Sequence, residues 1–121
     1  MKLYHSPMSP FARKVMVVLQ ETGQLNDVEI VPVVTTPIAP MDGLLAKNPL
    51  AKIPALERND GPTLYDSRVI CAFLDARAEG KLYPTGAGKW ETLTLEATAD
   101  GILDAAVSIT CDSDDHFIAL M

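Results

Sequence analysis

Asn48-Pro49-Leu50-Ala51-Lys52-Ile53-Pro54-Ala55-Leu56-Glu57-Arg58-Asn59-Asp60-Gly61-Pro62-Thr63-Leu64-Tyr65-Asp66-Ser67 is the stretch on which the fold turns. Pro49 stops whatever helix precedes it, because the residue before a proline avoids the α region. A short apolar run, Ile53 to Leu56, leads into Asn59, Asp60, Gly61 and Pro62, and a second short run, Thr63 to Tyr65, follows. Two brief runs joined by such turn chemistry make a β-hairpin. Pro54 constrains it, since a proline has no N–H for the ladder and belongs on an edge or at the first residue of a strand. Two readings of the Ile53-Pro54 step stay open on these residues. In one, a trans proline merely starts the strand. In the other, a cis peptide turns the backbone N–H and C=O of Ile53 outward and makes a peptide-shaped docking edge.

The elements on either side fall into place around this hairpin. Upstream, Lys2 to His5 is a short strand, and Ser9 followed by Pro10 reads as an N-cap and first helical residue. A helix runs from Phe11 with Phe11, Val15, Val18 and Leu19 on one stripe, and Gly23 ends it. Val28 to Val34 is a second strand, with Pro32 marking an edge position. Thr35 to Pro40 is loop, and Met41 to Lys47 forms a short helix before Pro49. Downstream, Ser67 caps a helix with Asp66 just outside it. Val69, Ile70, Phe73 and Leu74 form its buried face, and Gly80 stops it.

The resulting order is β-α-β-α-β-β-α. Its first half implies parallel strands with a right-handed crossover, and its second half an antiparallel hairpin and a helix. The expected class is α/β, helices layered on a mixed four-stranded sheet. Residues 81–88, rich in Gly and Pro, read as a linker between a first domain, 1–80, and a helical segment, 89–121. Lys89 to about Val107 is a further helix, with Trp90, Leu93, Ala97, Ile102, Leu103 and Ala106 apolar. The stretch Ile109 to Met121 does not continue its period cleanly.

Composition narrows the function classes. With 121 residues, 48% hydrophobic and 21% charged, the chain fits one modest soluble domain. A net charge of −6 leaves no electrostatic footprint for nucleic acid or an anionic membrane. No apolar run approaches the length of a membrane span, and the start lacks a signal-peptide h-region. The two cysteines, Cys71 and Cys111, match no metal or CxxC spacing. A cytoplasmic location and no metal are the expectations.

The order of elements, the Ile53-Pro54 step, the Asp66-Ser67 pair at a helix start and the Ser9-Pro10 helix entry together resemble the glutathione S-transferase family. Residues 1 to about 80 are similar to its N-terminal thioredoxin-like domain. Residues 87 to about 107, with Ala99-Asp100-Gly101-Ile102-Leu103-Asp104-Ala105-Ala106, look like the first helix of its all-α domain, of which the rest is missing, so that the chain looks truncated. Ser9-Pro10-Phe11-Ala12 is similar to the Cys-Pro-Phe-Ala of the omega-type branch, with serine in place of cysteine.

The resemblance implies glutathione as co-substrate and a role for each site residue. The thiolate is the nucleophile, so the site must favour the ionised thiol at neutral pH. Ser9, at a helix N-terminus, is the catalytic candidate: its hydroxyl can donate to the thiolate without losing a proton. Serine there favours conjugation over thiol–disulfide exchange. Ser6 and Tyr4 are fallback donors, and Arg13 could add positive charge nearby. The backbone of Ile53, beside cis-Pro54, would pair with the cysteinyl part of the tripeptide, a small β-augmentation. Asp66 would take the γ-glutamyl ammonium and Ser67 its carboxylate. Lys52 could reach the glycyl carboxylate. Against each stands a plain structural reading: Ser9 and Ser67 as helix caps, Asp66 and Lys52 as solvated charges. Cys71 reads as an inert buried thiol, and neither His5 nor His116 suggests catalysis.

The expectation is a cytoplasmic, homodimeric transferase joining glutathione to a small electrophile. Its rivals are a non-enzymatic glutathione-binding or regulatory module, a truncated inactive form and, third, a glutaredoxin-like oxidoreductase. The last is disfavoured by the missing cysteine at the first helix entry.

Overall fold

The computed structural model describes residues 1–33 and 52–113. Strand β1 (Lys2–His5) is central. It pairs in parallel with β2 (Glu29–Pro32), Leu3 opposite Ile30 and His5 opposite Pro32. On its other side it pairs antiparallel with β3 (Ala55–Glu57), Leu3 opposite Leu56. The order is therefore β2-β1-β3. Pro32 lies on the outer described strand, where the missing N–H costs no ladder bond. The β-α-β order, the parallel pair and the antiparallel return agree with the sequence reading.

The hairpin is tighter than expected. Of the run Thr63 to Tyr65, only Leu64 pairs with Leu56, each N–H donating to the other's carbonyl at 2.9 Å. The described sheet therefore has three strands rather than four, with the fourth reduced to one bridge. Pro62 cannot donate just before the pair, and Asp66 already belongs to the next helix, which leaves no length for a strand. The turn is held by Arg58, whose Nε donates to the Pro62 carbonyl at 2.9 Å and whose guanidinium lies 5.1 Å over the Phe73 ring. A side chain at Gly61 would meet the Arg58 guanidinium, which would have to swing away from this position.

Helix α1 (Pro10–Glu21) starts at the predicted cap: the Ser9 hydroxyl accepts from the Ala12 N–H at 3.1 Å. It ends at Gly23, whose φ of +70° suits glycine, in a closure where the Gly23 N–H reaches the Gln20 carbonyl at 3.2 Å and the Gln24 N–H the Leu19 carbonyl at 2.8 Å. Helix α2 (Ser67–Arg77) begins one residue earlier in function than expected: Asp66, not Ser67, is the N-cap, accepting from the Arg68 N–H at 3.0 Å. Both residue types cap well, but the carboxylate also gains from the helix's positive end, which leaves Ser67 as the first helical residue. Its buried face is Ile70, Cys71, Leu74 and Asp75. Val69 is exposed and Phe73 half-buried, so the stripe is rotated from the one predicted.

Leu3 and Leu56 meet Val15 and Leu19 of α1 and Ile70 and Leu74 of α2 to form the main core, on one face of the sheet. Tyr4 points to the opposite face, as strand alternation requires, and packs with Val33 and Ile53. Helix α3 (Lys89–Ser113) extends past the expected end near Val107. Once formed, a helix adds residues at little cost even where its apolar period lapses. It leaves Trp90, Leu95, Ile102 and Ile109 exposed. No helix among the described residues is long and apolar enough to cross a membrane. The expected loop 35–40, the expected helix Met41–Lys47 and most of the expected tail lie outside the described residues.

Candidate functional site

The residues before β3 and the start of α2 face each other across a cleft of about 330 Å³. Lys52, Ile53 and Pro54 form one wall; Tyr65, Asp66, Ser67 and Arg68 form the second. Phe11 of α1 contributes an apolar surface, and Ala97, Asp100, Gly101 and Asp104 of α3 close the third side. The Ile53–Pro54 peptide is cis. Ile53 is 2% exposed, its side chain committed to Val33 and Tyr4 while its position keeps it on the cleft wall.

Five of the six sequence-derived site residues, Lys52, Ile53, Pro54, Asp66 and Ser67, thus share one cleft. Ser9 is not among the lining residues. It is 1% exposed, its oxygen accepting from the Ala12 N–H while its own hydrogen remains able to donate. Arg13 is exposed and also lies outside the lining.

The electrostatics of the second wall are set by neighbours. Asp66 accepts from Arg68 Nη2 at 2.9 Å and from Arg68 Nε at 3.3 Å. That pairing holds its carboxyl below the ordinary carboxylate range. The pair is open to solvent, so its contribution to stability is small. Asp66 keeps its charge, and its stabilising effect is lost only as pH falls through that depressed value.

Behind Ser67 lies a network with no counterpart in the sequence reading. Lys14 Nζ sits 3.0 Å from Glu96 Oε2, 3.1 Å from both Asp100 oxygens and 3.4 Å from Ser67 Oγ. Burial by itself would lower the pKa of this ammonium, but its bonds to Glu96 and Asp100 outweigh that and raise it, so Lys14 stays charged. The Tyr83 hydroxyl donates to the same Glu96, and burial followed by that bond pushes the phenol upward. Asp75, 2% exposed, accepts from the N–H groups of Leu82 and Tyr83 at 2.7 and 2.9 Å and folds the segment after α2 back toward α3. One signal for Lys14 was legible: it is three residues after Phe11 and four before Val18, within the apolar stripe rather than opposite it. Nothing in the linear sequence signals that Asp100 and Asp104 meet α2 across the cleft.

A small sheet covered by α1 and α2, with Pro54 entering β3 opposite a helix N-terminus, defines a thioredoxin-like protein. Residues 3–82 match the family model described as Glutathione S-transferase, N-terminal domain, and the chain belongs to that family. It is similar to a glutathione transferase family member from Pseudomonas fluorescens Pf-5, solved with bound glutathione. The TM-score is 0.87 at 49% identity, over 93% of this chain and 56% of that one. A glutathione S-transferase from Methylobacillus flagellatus KT, solved with glutathione bound, gives a TM-score of 0.80 at 43% identity over 93% of this chain and 55% of the other. Among curated proteins, an uncharacterised GST-like protein of Escherichia coli K12, YibF, is 31% identical over 109 residues, which is 88% of this chain and 52% of the relative. The chain thus spans about half the length of these relatives.

Proposed function

We propose that this chain binds glutathione in the cleft and promotes attack of its thiolate on a small electrophile. The observation that carries the reading is the meeting of Lys52, Ile53 and Pro54 with Asp66 and Ser67 across one cleft. Their separation in sequence is bridged only by the fold, and the set matches the chemistry of a γ-glutamyl tripeptide. The Ile53 backbone pairs with the cysteinyl unit, and Lys52 takes the glycyl carboxylate. Asp66 takes the γ-glutamyl ammonium, sharing its oxygens with Arg68, and the Ser67 hydroxyl and N–H, at the start of α2, take the carboxylate. The thiol then lies toward the start of α1, where the helix end and the Ser9 hydroxyl favour the anion. The glutathione bound in the solved relatives supports the reading.

A second reading, glutathione binding without turnover, is favoured by Ser9, which is buried and already caps α1. Calorimetry with glutathione on the parent chain and on an Asp66→Ala, Ser67→Ala variant tests the shared part of both readings. Binding by the parent that disappears in the variant is expected. Equal binding by the two would move the site elsewhere. Turnover of an electrophile by the binding-competent chain then separates enzyme from module.

A further inference from the structure

We propose that Lys14 is a positioning residue. It fixes the Ser67 hydroxyl as a hydrogen-bond donor into the cleft and so makes affinity for the ligand's amino-acid carboxylate depend on the docking of α3. The inference rests on the glutathione reading above and adds a residue and a coupling to it.

The argument is one of donors and acceptors. An ammonium has three N–H groups and no acceptor. At Lys14 they meet Glu96 at 3.0 Å, the Asp100 carboxylate at 3.1 Å and Ser67 Oγ at 3.4 Å. The Ser67 oxygen therefore faces a cation, and its single hydrogen must turn away from Lys14. Ser67 is 2% exposed and its open side is the cleft, which is where that hydrogen is directed. A hydroxyl that accepts from a cation is also a better donor, because each bond polarises the next. Had the Ser67 oxygen faced a carboxylate, the hydroxyl would have donated there and offered the cleft an acceptor, the wrong polarity for an anion.

Lys14 cannot hold this position alone. Its side chain is 19% exposed, and the carboxylates that steady it, Glu96 and Asp100, are 12% and 10% exposed on the facing side of α3, one turn apart. Helix α3 thus acts on Ser67 through Lys14. Undocking α3 removes both anchors, releases the lysine to solvent and leaves the Ser67 hydroxyl free to rotate.

The test is a double-mutant cycle read by glutathione calorimetry on the parent, Ser67→Ala, Lys14→Met and the double variant. Ser67→Ala is expected to weaken binding about tenfold, the scale of one hydrogen bond to a charged group. Lys14→Met is expected to weaken it about fivefold in the parent and to have no effect in the Ser67→Ala background. Lys14→Arg, which keeps a cationic donor, should recover at least half of the loss. A glutathione analogue with the γ-glutamyl carboxylate converted to its amide should bind parent and Lys14→Met alike, a selectivity that a merely structural lysine would not produce. If Lys14→Met fails to fold, the cycle is run with Lys14→Gln, whose amide N–H groups can still donate to Glu96 or Asp100 while it brings no cation to Ser67, and the same loss is expected. Equal losses from Lys14→Met with and without Ser67, or none at all in a parent that binds glutathione and responds to Ser67→Ala, overturn the inference while leaving the binding site intact. No binding by the parent overturns the glutathione reading and the inference with it.

Discussion

Replacing Asp75 by asparagine isolates one buried contact that orders the whole route from α2 to α3. The Asp75 carboxylate is 2% exposed and spends one oxygen on the Leu82 N–H at 2.7 Å and the other on the Tyr83 N–H at 2.9 Å. Those bonds turn the segment after α2 so that the Tyr83 hydroxyl reaches Glu96. Asparagine has nearly the same shape but only one oxygen. One backbone N–H keeps a partner; the other faces an NH₂ group. The loss is one bond to a charged acceptor, about 1.5–3 kcal/mol, and one buried donor left unsatisfied, about 1–3 kcal/mol. The neutral amide is cheaper to bury than a carboxylate, which offsets part of this. A net destabilisation of about 2–3 kcal/mol follows. In a chain of this size that corresponds to a fall in Tm of roughly 8–15 °C. Thermal unfolding followed by far-ultraviolet circular dichroism, with urea unfolding as a check on the slope, reads it directly. A fall below about 3 °C would mean that these two bonds do not anchor the segment, and the reasoning would be wrong.

Other expectations are as specific. Cys71 is fully buried, and burial pushes its thiol from 9.0 up to about 12; in a Cys111→Ser background it should resist alkylation at pH 8 until urea unfolds the chain. Because the folded state holds this proton more tightly, its contribution is complete below pH 9 and is lost as pH rises toward 12, so urea midpoints should fall over that window, more in the parent than in Cys71→Ala. Ile70→Ala removes a side chain from the centre of the core and should cost about 2–5 kcal/mol in urea unfolding. Gly23→Ala forces a side chain into a φ of +70° and should lower stability by about 1 kcal/mol, with glutathione affinity unchanged.

Much of this architecture could be read from residues alone because each local signal agreed with the fold. Ser9-Pro10 opened α1, Gly23 closed it, and Asn59 to Pro62 turned the hairpin, each through chemistry confined to a few residues. Where two local signals competed, the sequence could not choose. Asp66 and Ser67 are both good caps, and the decision came from the carboxylate's fit to the helix end and to Arg68. The rotated face of α2 was set by what it packs against: Cys71 and Asp75 are buried because α1, the sheet and the segment after α2 lie there. The site divides the same way. Two of its walls, Lys52 to Pro54 and Asp66 with Ser67, were legible as two motifs. Its third wall was not, because Asp100 and Asp104 reach it only through tertiary packing, and the place of Lys14 within the apolar stripe did not say that Glu96 and Asp100 would meet it there.

The central claim is that this cleft binds glutathione and favours its thiolate. Ultraviolet titration of the thiolate absorbance of glutathione bound to the parent chain, beside free glutathione, tests it most directly. The account predicts a bound thiol that ionises at lower pH than the free one, and a Ser9→Ala variant that binds glutathione nearly as well but returns the titration toward that of free thiol. A bound thiol that titrates like free glutathione in the parent, or a parent that shows no bound glutathione, would contradict it.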